Sequence, residues 1–172
     1  MVINMKAIET ALSLTQAYKL GIERFETMLG DEFAKAVDYM NNTSTHIIIC
    51  GMGKSGLVGR KISSTLASTG TPSIFLHPAE AIHGDLGKVQ KKSVVLLISY
   101  SGETGEIIAL IPALKRLDVN IIALTGVKNS TLANKSDIVL DTSVDREACP
   151  LNLAPTTSTM ITMVLGDALA VA

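Results

Sequence analysis

The stretch THIIICGMGKSG, residues 45–56, holds a run of branched apolar side chains that is followed at once by closely spaced glycines. Short apolar runs bounded by a turn signal are typical of buried β-strands. After the last glycine, Leu57, Ile62 and Leu66 give the next segment an apolar helical face. The stretch therefore predicts a strand, a tight glycine turn and a helix in direct succession.

Four further apolar runs follow, and a helical or small-residue stretch separates each run from the next. They read PSIFLH, SVVLLIS, VNIIALT and DIVLD. Because strand and helix alternate, we predict an α/β fold, a flavodoxin-like three-layer αβα sandwich around a five-stranded parallel sheet. Such sheets bind ligands beyond the carboxyl ends of their strands. The functional loops are therefore expected after Cys50, Leu76, Ser99, Thr125 and Asp141.

The N-terminal part of the chain has a helical pattern. Apolar residues recur at helical spacing from about Ile3 to Asn42, and Gly30 with Asp31 breaks this pattern into two helices. A chain of 172 residues fits one domain, since single cores typically serve ~100–200 residues. We predict N-terminal helices over residues 1–42 and a parallel-sheet core over residues 43–172.

Composition and charge argue against several classes of partner. The formal net charge is −1 and no basic cluster is present, so no nucleic-acid partner is expected. The last apolar stretch, MITMVLGDALAVA, contains Asp167 and is shorter than the ~20 residues of a membrane-spanning helix. Cys50 and Cys149 lie far apart without metal-ligand spacing, which indicates reduced thiols, no metal site and a cytoplasmic location.

The glycines of GMGKSG would let a helix N-terminus approach an anion closely. We therefore expect Gly53 and Ser55 to bind a phosphate. A Walker A loop is excluded, because Ile48 stands where its first glycine belongs. Dinucleotide binding is disfavoured, because no carboxylate follows the second run before Glu80. A glycine turn that serves packing alone stays open as an alternative.

The segment ISYSGETGE, residues 98–106, carries three hydroxyls around a glycine at a predicted helix start. Ser99, Ser101 and Thr104 supply donors at a spacing that suits a phosphate. Ordinary N-capping by Ser101 would account for one hydroxyl and leave the other two unexplained. Together with Ser55 on the glycine loop, we predict that these side chains surround one phosphate.

These loops resemble those of the sugar isomerase (SIS) domain family, whose phosphate loop reads much like SxSGxT. The resemblance covers nearly the whole chain and continues in LASTGTP, HPAEAIHGDLG and DREACPLNLAPTTST. In this combination the motifs are similar to those of arabinose-5-phosphate isomerases. The resemblance implies an enzyme that interconverts ribulose 5-phosphate and arabinose 5-phosphate, on the route to the lipopolysaccharide sugar Kdo.

Aldose–ketose isomerisation by proton transfer needs a base, a donor near the two oxygens and an acid–base group for ring opening, but no redox cofactor. Lys54 is the candidate cation, and Glu106 follows the hydroxyl cluster. His83 is a further candidate because histidine exchanges protons near neutral pH. By resemblance, Glu147 matches a catalytic position, and it is the favoured base. Surface or structural roles stay open for Lys54, Glu106 and His83, and His77 is expected to be structural.

The resemblance also implies segments that this sequence does not contain. Family members commonly continue with a segment that supplies a catalytic histidine and with a pair of CBS domains, so we expect a truncated, weakly active chain. A protein that works without these segments is the alternative. A sugar-phosphate sensor without activity and a related phosphohexose isomerase are the alternatives. Excess apolar surface on the N-terminal helices, together with the resemblance, predicts a homotetramer. The residues of that surface are Ile8, Leu12, Tyr18, Leu20 and Phe25.

Overall fold

A computed structural model describes residues 5–172. The strands are β1 (Ile47–Gly51), β2 (Ser73–Leu76), β3 (Val94–Ile98), β4 (Asn120–Thr125) and β5 (Ile138–Asp141). The helices are α1 (Met5–Met28), α2 (Asp31–Asn41), α3 (Gly53–Ser68), α4 (Pro78–Ile82), α5 (Gly105–Arg116), α6 (Thr131–Lys135) and α7 (Thr157–Val171), with a 3-10 helix at Asp85–Lys88. Each apolar run that the sequence singles out forms a strand.

The five strands form one parallel sheet in the order β2-β1-β3-β4-β5. This is the flavodoxin-like order, in which the chain changes direction between β1 and β3. Every residue of β1 and β3 is buried, because helices cover both faces of the sheet. The predicted three-layer α/β fold is confirmed.

The sheet separates two apolar cores. Successive side chains of a strand point to opposite faces, so Ile47 and Ile49 enter one core while Ile48 and Cys50 enter the other. Helices α1, α2, α3 and α7 cover the first core, and α4, α5 and α6 cover the second. Isoleucine, leucine and valine fill both cores, as a chain with 3% aromatic residues requires.

The N-terminal helices are only partly packed on the sheet. They separate at the predicted break before Asp31, and the predicted start near Ile3 lies outside the described residues. Phe25, which was predicted to belong to the excess apolar surface, is instead buried in the core at the end of α1, so that part of the prediction is wrong. Earlier in the same helix, Ile8 and Leu12 are exposed. The first part of α1 therefore presents apolar surface that this chain does not cover itself.

The last helix packs against α3, so the predicted buried C-terminal helix is confirmed. Gly166 lies where the two helices approach each other most closely, since a Cβ built there would come within 2.3 Å of Ile62 Cγ1. Across residues 5–172, no helix has both the length and the apolar character that a membrane crossing requires.

We expect Gly166→Val to destabilise the domain by about 1–3 kcal/mol, because the added methyl groups overpack a core that has no room for them. Ile62 is fully buried, so it cannot move into solvent to make space. Thermal unfolding followed by circular dichroism measures the change.

The matched control is Gly87→Val, at an exposed position where an added Cβ would meet no atom within 4 Å. An equal fall in melting temperature for both variants would contradict the close α3–α7 packing.

Candidate active site

The glycine loop between β1 and α3 is a tight turn that only glycine permits at two positions. Gly53 has φ +53°, in the left-handed region. A Cβ on Gly56 would lie 2.5 Å from the carbonyl oxygen of Gly51. Met52 precedes the helix and provides no side-chain cap. The first N–H groups of α3, with Lys54 and Ser55 beside them, therefore meet no capping side chain at this edge of the sheet.

The hydroxyl loop between β3 and α5 is held together by its own side chains. The Ser99 and Thr104 hydroxyls lie 2.7 Å apart, and Gly102 N donates to Ser99 Oγ at 3.1 Å. Ser101 Oγ accepts from Glu103 N at 3.2 Å, so Ser101 shapes the turn and does not cap α5. Thr104 precedes α5 without capping it by its side chain. The predicted alternative, N-capping of α5 by Ser101, is therefore wrong.

The hydroxyls of this loop differ in exposure. Ser99 is 2% exposed, and its hydroxyl already bonds within the loop. Ser101 is exposed and Thr104 is half-buried. The Ser99 hydroxyl supports the loop, while Ser101 and Thr104 are more accessible. Direct contact of Ser99 with a phosphate stays a prediction.

The two loops lie side by side because their strands are paired. Gly51 at the end of β1 is in register with Ile98 at the end of β3. The uncapped N-termini of α3 and α5 consequently open at the same edge of the sheet. Helix N-termini carry partial positive charge and unpaired N–H groups, which favour an anion.

The Glu147 carboxylate caps the N-terminus of α7. Thr156 donates to it through its backbone N at 2.7 Å and its hydroxyl at 3.0 Å. Ser158 donates through its backbone N at 3.2 Å and also through its hydroxyl. Glu147 is 9% exposed, and Asn152 Oδ1 accepts from its backbone N at 2.7 Å. Glu147 therefore holds the start of α7, a structural role that the sequence did not predict.

Two opposing effects set the charge of Glu147. Burial raises the pKa of its carboxyl, and the hydrogen bonds from Ser158 and Thr156 lower it by more. The net result is a pKa below the ordinary value of 4.5. Glu147 is therefore ionised at neutral pH, although it is nearly out of contact with solvent.

A cavity of about 190 Å³ joins these parts of the chain. It brings together the predicted residues Ser55 and Glu147, which lie far apart in sequence. Residues from α3, β3, the hydroxyl loop, the segment before α7 and α7 itself form the wall: Ser55, Val58, Ile98, Tyr100, Glu147, Asn152, Leu153, Pro155, Ser158, Thr159 and Thr162.

The remaining predicted residues lie near this edge of the sheet but do not line the cavity. Lys54 is exposed in the first turn of α3, and Glu106 is exposed in the first turn of α5. His83 is exposed at the end of α4, which follows β2. His77 precedes α4, and its backbone carbonyl accepts from Ala81 N.

Sequence reasoning missed Tyr100, which lines the cavity, and the hydroxyls of Thr156 and Ser158, which donate to Glu147. The run TTST at residues 156–159 was a usable signal, because it repeats the pattern of hydroxyls at a helix start. Here the anion to which the hydroxyls donate is a side chain of the protein itself, the Glu147 carboxylate.

No cofactor or metal cluster is indicated by the arrangement. Over residues 5–172, no three His, Cys, Asp or Glu side chains gather as metal ligands would. β2 ends at Leu76 and is followed by His77 and Pro78, so it offers no carboxylate for a dinucleotide ribose.

Comparison with known proteins agrees with this geometry. A family model described as the SIS domain matches residues 41–172. The arabinose 5-phosphate isomerase KdsD of Pseudomonas aeruginosa is 49% identical over 169 residues, which cover 98% of this chain and 52% of that protein. KpsF of Escherichia coli O6:H1, also named as an arabinose 5-phosphate isomerase, is 56% identical over 141 residues, which cover 82% of this chain and 43% of that protein. The chain spans about half the length of these curated relatives.

A solved structure has the same fold. It is the structure of the E. coli CFT073 protein c3406 in complex with arabinose 5-phosphate. That structure superimposes with a TM-score of 0.94 at 39% sequence identity, and the match covers 99% of this chain and 90% of that one. The shared fold, the family match over residues 41–172 and the identities to curated relatives agree with each other. The chain belongs to the SIS domain family.

Proposed function

We propose that this chain is the catalytic domain of an isomerase that interconverts ribulose 5-phosphate and arabinose 5-phosphate. The observation that carries the proposal is the cavity that Ser55 and the ionised Glu147 line together. An anion-binding helix start and a buried carboxylate beside it are the two features that a sugar phosphate undergoing proton transfer requires. Relatives at 49% and 56% identity carry the name of this activity.

The phosphate of the sugar binds between the starts of α3 and α5. Neither helix has a side-chain cap, so N–H groups of both are open to a ligand. Ser55, Ser101 and Thr104 add hydroxyls, Gly53 allows close approach of the backbone, and Ser99 supports the loop. Backbone dipoles and hydroxyls then neutralise the phosphate without a dense basic patch, which agrees with the net charge of −1.

The reaction moves one proton between neighbouring carbons. A base removes a proton from C1 of the ketose, the electrons pass to the C2 oxygen, and an enediolate forms. Return of a proton to one face of C2 gives the aldose with arabinose configuration, while the O1 proton passes to the C2 oxygen, so that C1 becomes the aldehyde and O2 a hydroxyl. No electrons leave the sugar, so the step needs no redox cofactor.

Glu147 and Lys54 take the central roles in this scheme. Glu147 acts as the base, because it lines the cavity and stays unprotonated at neutral pH. The Lys54 side chain makes no hydrogen bond or ion pair among residues 5–172. Its ammonium group is therefore available to stabilise the negative oxygen of the enediolate. Glu106 and His83 are the remaining groups for proton transfer to the sugar oxygens and for ring opening.

The wider setting forms part of the same proposal. We place the enzyme in the cytoplasm, in the synthesis of Kdo for lipopolysaccharide, and as a homotetramer. The exposed apolar residues Ile8, Leu12 and Leu20 of α1 support the assembly, because apolar surface of this kind usually marks an interface.

Lys54→Ala is expected to lower turnover of ribulose 5-phosphate by about 10²–10³-fold, the range for loss of one group that stabilises a developing negative charge. Its melting temperature should stay unchanged, because Lys54 is exposed and its side chain makes no hydrogen bond or ion pair among residues 5–172. Conversion to arabinose 5-phosphate is followed by chromatography for this chain and for the longest natural protein that contains it.

Lys91→Ala is the control, since Lys91 is also exposed and lies before β3, at the opposite end of the strands. Equal activity of the Lys54 variant and the control would remove Lys54 from the mechanism. Binding of ribulose 5-phosphate by the parent with no turnover would favour a sensor.

Glu147→Gln is expected to lose turnover and also about 1–3 kcal/mol of stability, because an amide nitrogen would face the donors that now bond to a carboxylate. The pKa of Glu147 is lowered on folding, so its ionised form stabilises the protein above pH 4.5. That contribution disappears as the pH falls through the lowered pKa. Melting temperatures measured from pH 7 to pH 3 should therefore converge for parent and variant at the acidic end.

Glu26→Gln makes the same chemical change at an exposed position of α1 and should leave the melting temperature unaltered. A Glu147→Gln protein as stable as the parent at pH 7 would show that the carboxylate does not hold α7.

Leu12→Lys is expected to shift the protein from tetramer towards smaller species, since Leu12 is 62% exposed on the apolar surface of α1. Size-exclusion chromatography with light scattering measures the mass. Val127→Lys, at an exposed position outside α1, should leave the assembly intact. A monomeric parent at micromolar concentration would contradict the proposed assembly.

A further inference from the structure

Tyr100 is held firmly in the hydroxyl loop, between Ser99 and Ser101. Its carbonyl oxygen accepts from Gly126 N at 2.9 Å and from Thr125 Oγ1 at 3.1 Å, so the end of β4 fixes its backbone. Its ring lies against Gly126, where a Cβ would come within 2.5 Å of the ring carbons. The side chain therefore has a defined direction.

The Tyr100 hydroxyl reaches across to the segment that carries Glu147. It accepts from Val144 N at 3.3 Å, and its oxygen lies 3.5 Å from the Val144 carbonyl oxygen. Val144 is three residues before Glu147, and Tyr100 and Glu147 line the same cavity. The contact thus connects the loop proposed to bind phosphate with the segment that holds the proposed base.

The same segment is also contacted from its other side. Arg24 of α1 bonds to Asp145 Oδ1 at 2.6 Å and to Ser143 Oγ at 2.9 Å. The Arg24 and Asp145 side chains are exposed, and exposed ion pairs contribute little because water screens them. The Tyr100 contact is made by a residue of the cavity wall, and it connects the hydroxyl loop with the segment before Glu147.

We propose that Tyr100 is a positioning residue for Glu147, which rests on the function proposed above. Its hydroxyl fixes the distance between the phosphate loop and the carboxylate, so that the sugar carbons lie within reach of the base when the phosphate is bound. A residue that positions the reacting groups raises the rate of the chemical step and adds little to the affinity for the substrate. The role predicts an effect on kcat with little effect on KM.

Tyr100→Phe removes the hydroxyl and keeps the ring. In the natural full-length protein we expect kcat for ribulose 5-phosphate to fall about three- to tenfold, the equivalent of one lost hydrogen bond, with KM nearly unchanged. Tyr39→Phe is the matched control: Tyr39 is 38% exposed against 37% for Tyr100, and its hydroxyl makes no hydrogen bond among residues 5–172.

A second readout separates this inference from the proposed function. Amide hydrogen exchange of Val144 and its neighbours should become faster in Tyr100→Phe, while exchange in α7 and in the Tyr39→Phe protein stays as in the parent. Unchanged exchange or unchanged kcat in Tyr100→Phe would overturn the inference. If the parent does not convert ribulose 5-phosphate, the proposed function fails, and exchange alone then decides whether Tyr100 holds the Glu147 segment.

Discussion

The parallel pairing of β1 with β3 is the constraint on which the site depends. It brings the helix after each strand to the same edge, so α3 and α5 begin there on opposite faces of the sheet. Both helices begin without a side-chain cap, and their unpaired N–H groups add partial positive charge in one place. The backbone at this edge therefore favours an anion, and we propose that Ser55, Ser101 and Thr104 complete the site.

The N-terminus of α7 also has unpaired backbone N–H groups, but here a side chain of the protein binds them. Its N-terminal donors are bonded to Glu147 of the preceding segment, so this helix start is closed to ligands. The carboxylate consequently has two roles in our account: it holds α7 against the rest of the fold, and it faces the cavity as the proposed base. Stability and chemistry therefore depend on one side chain, and its environment keeps it ionised where a base must be.

The strands and the two loops could be predicted because their signals are local. The run before Cys50 and the glycines after it specify a strand and a turn within a few residues, and ISYSGETGE does the same around Ser99. The contacts that complete the site join distant parts of the chain. The Tyr100 hydroxyl contacts Val144, 44 positions later in the chain. The spacing of residues along the sequence does not predict that contact. The burial of Ser99 could likewise not be predicted from the sequence, because Ser101 and Thr104 nearby carry the same hydroxyl group but are more exposed.

A crystal structure with bound arabinose 5-phosphate would locate both the phosphate and the reacting carbons. We expect the phosphate between the starts of α3 and α5, within about 3 Å of backbone N–H groups and of the Ser55 and Ser101 hydroxyls, the range of a hydrogen bond. We also expect C1 and C2 of the sugar next to the Glu147 carboxylate. A phosphate bound elsewhere, or sugar carbons that point away from Glu147, would rule out the proposed site.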